Sequence, residues 1–271
     1  MTLNRNKVIA IVNQKGGVAK TTTAVNLATS FAAIDQKTLV IDFDSQGNAS
    51  TGFGIDAIYR KQKNIYKVIT GLTSIKDAII PTSVPKLDII PATVDLSAAE
   101  IDLIDFPERE FILKKCLNEI INDYDRIIID CPPSLGISTI NALAACESVI
   151  IPLQCEFYAL EGLAHLLKTV EKVKKRINPN LEILGVLLTM YDKRNRLTDE
   201  VEKDVRSCLN EKVFKVVIPR NVKISEAPSH GIPALIYDHR SSGSQAYALL
   251  AREILQNEKS LEKAMEFEYE E

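Results

Sequence analysis

Residues 8–27 read VIAIVNQKGGVAKTTTAVNL, and their reading decides the fold. The stretch opens with an apolar, β-branched run, passes through a glycine-bearing loop and enters a segment of helical period at Lys20-Thr21-Thr22. Strand, loop and helix in that order match the phosphate-binding pattern G-x-x-x-x-G-K-[ST], except that Gln14 and Ala19 stand in the two glycine slots. At a helix start the free N–H groups and the positive end of the helix dipole converge, so a polyphosphate sits there with little reorganisation. In that arrangement Lys20 neutralises β- and γ-phosphate charge, the Thr21 hydroxyl ligates Mg2+, and Thr22 adds a phosphate hydrogen bond, which makes ATP and Mg2+ the expected ligands. The bland alternative is a tight strand–helix turn carrying an exposed lysine. Ala19 turns on one angle. With a negative φ, alanine is a good helix former and costs little; with a positive φ it costs about 1 kcal/mol and would slow nucleotide exchange or hydrolysis.

Outward from the loop, near-continuous apolar runs recur at 7–13, 38–44, 87–92, 125–131, 147–153, 182–190 and 212–219. Unalternating runs of this kind read as strands covered on both faces. Segments of helical period lie between and after them, at 20–34, 159–177 and 244–255. The alternation predicts an α/β fold: a doubly wound, mostly parallel sheet with helices on both faces, as in P-loop NTPases. A single domain is expected over 1–257, followed by an acidic, frayed tail over 258–271.

Composition narrows the function. The 271 residues are 46% hydrophobic and 25% charged, enough for a sizeable core. A net charge of −3 does not announce nucleic-acid binding, which would need a local basic patch. The five cysteines are scattered without a C-x-x-C pair, which argues for reduced, mostly buried thiols and against a metal or iron–sulfur site. No apolar run reaches the length of a membrane span, and residues 1–7 lack the apolar core of a signal peptide, so a soluble cytoplasmic protein is expected.

The run KGGVAKTT (15–22) resembles the deviant Walker A motif of the ParA/MinD group of ATPases. The resemblance implies an ATP site over Lys15, Gly16, Gly17, Val18, Ala19, Lys20, Thr21 and Thr22. It also implies that Lys15 reaches across a homodimer to the partner subunit's phosphates, with Gly16 and Gly17 allowing two loops to approach around the nucleotide. LVIDFDSQGNAST (39–51) is similar to the group's second motif, with Ser45 where proline is usual. Asp44 is thereby implied to orient or activate the attacking water, making Lys15, Lys20 and Asp44 the catalytic set. IIIDCPPSLG (127–136) resembles the group's Walker B strand, in which Asp130 would hold a Mg2+-bound water and Pro132-Pro133 would fix the following loop. Thr21, Asp44 and Asp130 are then the expected Mg2+ residues. An aspartate ending one buried strand can be only a helix cap; two of them after a phosphate loop weaken that reading.

The C-terminal half is most similar to the ParA/Soj chromosome-partitioning branch, through residues 185–201, 218–238 and 241–255. That similarity implies an ATPase, slow without DNA and partner, whose ATP-bound homodimer binds double-stranded DNA non-specifically. It also implies a centromere-binding partner of the ParB/Spo0J type, nucleoid association within the cytoplasm, and a role in chromosome or plasmid partitioning. DNA contacts are expected from Lys193, Arg194, Arg196, Arg220 and Lys223, the last standing where the branch usually has arginine. Such contacts act through phosphate charge and weaken steeply with salt. Pro219, Arg220 and Asn221 are also candidates for lining the adenine pocket, while Lys172, Lys174, Lys175 and Arg176 read as a solvated face. The short arm carrying Arg5 and Lys7 could touch DNA, and a first strand from about Lys7 leaves no room for an N-terminal helix-turn-helix domain.

Three rivals remain at this stage. A MinD-like, membrane-associated positioning ATPase would end in a basic amphipathic helix, whereas this chain ends SLEKAMEFEYEE, so no membrane partner is expected. A metabolic enzyme on the same scaffold would need cluster cysteines or a substrate pocket. A hydrolysis-impaired, nucleotide-switched binding module follows if Ala19 cripples turnover.

Overall fold

The computed structural model describes residues 7–268, with side chains through Ser260. Seven strands form one sheet: β1 (Val8–Ile11), β2 (Thr38–Asp42), β3 (Ile80–Pro81), β4 (Leu87–Ile90), β5 (Arg126–Asp130), β6 (Ser148–Gln154) and β7 (Glu182–Thr189). Their spatial order is β3-β4-β2-β5-β1-β6-β7, and every pair is parallel except β3 with β4. The chain first winds outward from β1 through β2 and then crosses to β6 and β7. The carboxyl end of β1 therefore lies at a topological switch point, where open α/β sheets bind ligands.

The strands alternate their side chains between two buried layers. Val8, Ala10, Leu39, Ile41, Ile127 and Ile129 point into one core, and Ile9, Ile11, Val40 and Ile128 into the other. Helices α4 (Ile137–Ala145) and α5 (Ala159–Arg176) cover the first layer through Leu143, Leu163 and Leu166. Helix α1 (Lys20–Ala33) and the last helix, α8 (Ser242–Glu268), cover the second through Leu27, Phe31, Tyr247 and Leu250. Shorter helices α2 (Asn48–Gly52) and α3 (Ala57–Gln62) follow β2, while α6 (Arg196–Leu209) and α7 (Val222–Glu226) follow β7. The doubly wound, mostly parallel architecture is the expected one.

Six of the seven expected strands are present, with ends within two residues of their expected positions. The run 212–219 is not a strand. It meets β7 and its exit through two isolated parallel bridges, Val186 with Val213 and Tyr191 with Pro219, and a bond from the Ile218 N–H to the Leu188 carbonyl at 2.8 Å. Between them the Lys215 and Val216 N–H groups donate to the Glu253 carboxylate at 2.7 and 2.9 Å, so α8 takes the donors a ladder would need. Pro219 has no N–H to offer. Edge strand β3 escaped sequence reading because only two residues form it, one of them proline, which sheet edges tolerate.

The tail boundary expected at 257/258 falls inside α8. Glu258 is buried and accepts two hydrogen bonds from Arg126, at 2.8 and 2.5 Å, while the Arg126 guanidinium also lies over the Phe31 ring. Arg126 begins β5 and is 1% exposed, so this pair fastens the last helix to the centre of the sheet. The last three residues of the tail expected at 258–271, and the arm residue Arg5, lie outside the described residues. Removing one partner of a buried ion pair strands the other charge. Glu258→Ala is therefore expected to lower unfolding free energy by about 3 kcal/mol, read from the shift in the urea midpoint.

Candidate functional site

The loop after β1 is built by three anchors. Asn13 donates from Nδ2 to the Pro152 carbonyl at 2.7 Å, and its Oδ1 accepts the Lys15 N–H at 2.9 Å. The Thr189 hydroxyl, at the end of β7, donates to the Val18 carbonyl at 3.1 Å. Val18 is buried beneath the loop, whereas Lys15, Gly16 and Gly17 stand exposed on its outer side. The turn into α1 is left-handed: Ala19 has φ 69° and ψ 34°, and no side chain caps the helix. That answers the question posed by alanine in the second glycine slot, since Ala19 sits where glycine is favoured.

The two loop lysines are held differently. Lys20 is buried, and its Nζ donates to the Lys15 carbonyl at 2.9 Å, inside the curl of the loop. Burial lowers the pKa of its ammonium, opposed by the charges of Asp130 and Asp44. The Lys15 side chain points outward and ion-pairs with Glu156, which follows β6. No sequence motif marks Glu156.

Parallel pairing sets three carboxylates around this loop. Asp42 ends β2 and Asp130 ends β5, in direct register with each other, and Asp130 is also opposite Ile11 of β1. Asp42 accepts the Ser50 N–H at 2.8 Å and the Ser50 hydroxyl at 2.6 Å on one oxygen, and Ser50 in turn accepts the Ala92 N–H. Burial nevertheless raises its carboxyl above the ordinary range. Asp130 is fully buried, and neither of its oxygens has a hydrogen-bond partner. Burial, with Asp42 and Asp44 beside it, pushes its carboxyl well above the usual range, against a downward pull from Thr21 and Lys20. Asp44 stands in the turn after β2, where its Oδ1 accepts the Gln46 N–H at 3.0 Å and its carbonyl accepts the Gly47 N–H at 2.9 Å. A buried carboxylate with two empty acceptors beside a lysine and a threonine hydroxyl suits a hard, oxygen-ligated cation such as Mg2+. Thr21, Asp44 and Asp130 are thus drawn to one side of the loop.

Beside the loop, an open cavity of about 760 Å³ collects Pro219, Arg220 and Asn221 together with Lys193 and Arg194. Val217, Ala246 and Leu249 give it an apolar wall suited to a flat base. The Tyr191 N–H donates to the Ile218 carbonyl and the Arg220 N–H to the Tyr191 carbonyl, clamping the two segments together. The expected basic residues are not a bare patch. Arg194 forks onto Asp192 with two bonds of 2.9 Å and holds that carboxyl down to about 2. Arg196 pairs with Glu200, and Lys223 pairs with Glu226 at the far side of α7 while lying over the Tyr237 ring. Arg196 and Lys223 do not line the cavity that holds Lys193, Arg194 and Arg220.

Comparison with known proteins agrees with this geometry. An AAA domain family model matches residues 6–183. The chain is 51% identical over 261 residues to the chromosome partitioning protein ParA of Caulobacter vibrioides, covering 96% of this chain and 97% of that protein. It is also 51% identical over 251 residues to the sporulation initiation inhibitor protein Soj of Bacillus subtilis, covering 93% and 99%. Among solved structures, cobyrinic acid a,c-diamide synthase from Mycobacterium smegmatis with bound ADP and magnesium superposes with a TM-score of 0.82 at 35% identity, over 94% of this chain and 96% of that one.

Two outcomes follow for the isolated chain. Ala19→Gly relieves a left-handed alanine and is expected to raise unfolding free energy by about 1 kcal/mol, measured by chemical denaturation without nucleotide. For Asp130, the folded state binds the proton more tightly than the unfolded state. Stability is therefore present below the ordinary carboxylate range and is lost as pH rises towards the raised pKa. Asp130→Asn is expected to be more stable than wild type at neutral pH without nucleotide, and to show a flatter thermal-denaturation profile against pH.

Proposed function

Because the chain belongs to the ParA/Soj family of chromosome-partitioning ATPases, we propose that it is an ATP-driven switch that binds and hydrolyses Mg2+–ATP at the β1 loop. The observation that carries this reading is the fully buried Asp130 carboxylate, with both oxygens unpartnered beside the buried Lys20. Such a group is stable as an anion only opposite a cation.

The bound Mg2+–ATP supplies the phosphoryl group and the divalent charge that neutralises its oxygens. The chain's own residues do the rest. Lys20 exchanges its bond to the Lys15 carbonyl for phosphate oxygen, and the open N–H groups of Gly16 to Thr22 line the phosphate cradle. Thr21 and Asp130 would hold the cation. Asp44 orients the attacking water from the turn after β2. Pro219, Arg220 and Asn221 border the base, with Val217 and Leu249 giving the apolar contact.

Lys15 serves a second copy of the chain. It is exposed on the rim of the loop and can leave Glu156 cheaply, because an exposed ion pair contributes little. In an ATP sandwich dimer it would reach the partner subunit's phosphates. Lys193, Arg194, Arg196, Arg220 and Lys223 would then meet DNA phosphates, with Arg194, Arg196 and Lys223 exchanging their carboxylate partners for the duplex. Discharge by a ParB-type partner fits a slow intrinsic rate, and the left-handed Ala19 supports slow turnover rather than loss of binding.

DNA affinity measured with ATP, with ADP and without nucleotide across a salt series tests the reading. ATP-dependent binding that falls steeply with salt is expected; equal binding in all three states would refute the switch. In the same assay Asp44→Ala should stay on DNA with ATP, and Lys15→Ala should elute as a monomer.

A further inference from the structure

The turn that carries Asp44 is short, polar and exposed at Gln46, yet it must hold a carboxylate in a fixed place. One guanidinium outside every motif secures it. Arg60, in α3, donates from Nη1 to the Gly47 carbonyl at 3.2 Å, three residues after Asp44. Nη1 and Nη2 both donate to the Thr51 hydroxyl at 3.2 Å, and Nε donates to the Ile55 carbonyl at 2.8 Å. Thr51 itself donates to the Gly47 carbonyl at 3.0 Å. Arg60 therefore grips α2 at its first cap, near its end and just beyond it. Helix α3 is fixed in turn, since the buried Asn64 donates to the Arg60 carbonyl at 2.8 Å.

We propose that Arg60 is the positioning residue for Asp44, acting through the Gly47 carbonyl and the Thr51 hydroxyl rather than by touching nucleotide. Asp42 and Ser50 hold the strand side of α2, and Arg60 holds its outer side. Between these two anchors the Asp44 turn has no freedom to swing. Arginine is required because one planar fork must serve three acceptors spread along the helix, and an ammonium reaches only one or two of them. Misplacing a catalytic group by about 1 Å can cost on the order of a hundredfold in rate. Nucleotide binding, which depends on the β1 loop, stays intact. The inference rests on the reading of Asp44 as the residue that orients water.

The test uses the full chain with Mg2+–ATP, DNA present, and phosphate release as the readout. Arg60→Ala is expected to lower kcat tenfold or more, with KM for ATP and the affinity for a fluorescent ADP within about twofold of wild type. Arg60→Lys should fall between the two, and Thr51→Val should reproduce part of the loss. In an Asp44→Ala background, Arg60→Ala should add nothing. An unchanged kcat in Arg60→Ala, with Asp44→Ala inactive, overturns this inference alone. A parallel loss of kcat and ADP affinity also overturns it, because the whole site would then have collapsed. Asp44→Ala hydrolysing at the wild-type rate overturns the reading of Asp44 and this inference with it. Should Arg60→Ala fail to fold, the kcat–KM split in Arg60→Lys and Thr51→Val decides.

Discussion

Two carboxylates ending adjacent strands, Asp42 and Asp130, face the same problem: a charge buried at the centre of a protein must be neutralised or protonated. The chain solves it for Asp42 internally, with two hydrogen bonds from Ser50. For Asp130 the Thr21 hydroxyl lies near enough to lower its pKa, but neither carboxylate oxygen is closed by a hydrogen bond of normal geometry. Lys20 is close enough to pull its pKa down, but spends its own hydrogen bond on the Lys15 carbonyl. The parallel register that aligns Asp42 with Asp130 also fixes where the loop after β1 must run, because Ile11 pairs with Asp130 as well. One residue of slip would turn one of the carboxylates to the opposite face. The fold thus places two strand-end carboxylates side by side at the loop, between the hydrophobic layers that cover both faces of the sheet.

The ion pairs divide into two kinds by exposure. Arg126 and Glu258 are 1% and 10% exposed at their side chains, and their separation would leave a charge in the core. Lys15 and Glu156, at 48% and 44%, stay solvated whether paired or apart. Arg194 with Asp192, Arg196 with Glu200 and Lys223 with Glu226 also lie at the surface, each with a side chain about half exposed or more. Pairs of this second kind exchange partners at small cost, and salt screens them. An acidic chain can therefore carry surface cations without leaving them bare, while separating the pair inside the fold would strand a buried charge.

Sequence reading was strongest where periodicity and motif coincide. The strands through Val8, Val40, Ile128 and Ile150 are buried on both faces and read as unbroken apolar runs. Lys20 and Thr21 stood out because glycine-loop chemistry fixes residue type and spacing together, whereas Asp130 stood out through its resemblance to a Walker B strand. The run 212–219 misled because it is just as apolar; the Glu253 carboxylate that takes its N–H groups lies in a helix about forty residues away. The same limit hid Ser50, Glu156, Arg60 and Glu258. Glu156 and Glu258 act through partners more than 130 residues away, while Ser50 and Arg60 bond nearby groups at no regular spacing, and neither leaves a pattern in one sequence. The angle at Ala19 was the opposite case: the sequence posed the alternatives, and only backbone geometry could choose.

Just beyond α2, Gly54 crosses Gly231 backbone to backbone. A Cβ on Gly54 would lie 2.7 Å from the Gly231 carbonyl oxygen, and one on Gly231 would lie 2.9 Å from the Gly54 Cα. Both residues have positive φ, at 68° and 65°, so neither tolerates a side chain readily. No flexible side chain stands between the two segments to absorb a displacement. The Asn26 side-chain Oδ1 accepts the Ala234 N–H at 2.8 Å, tying the same segment to α1. A shift of α2 must therefore break this crossing or carry residues 227–234 with it. Those residues follow the segment of Arg220, Asn221 and Lys223 through α7, so the Asp44 turn and the segment that carries basic charge are joined by contact rather than by distance alone.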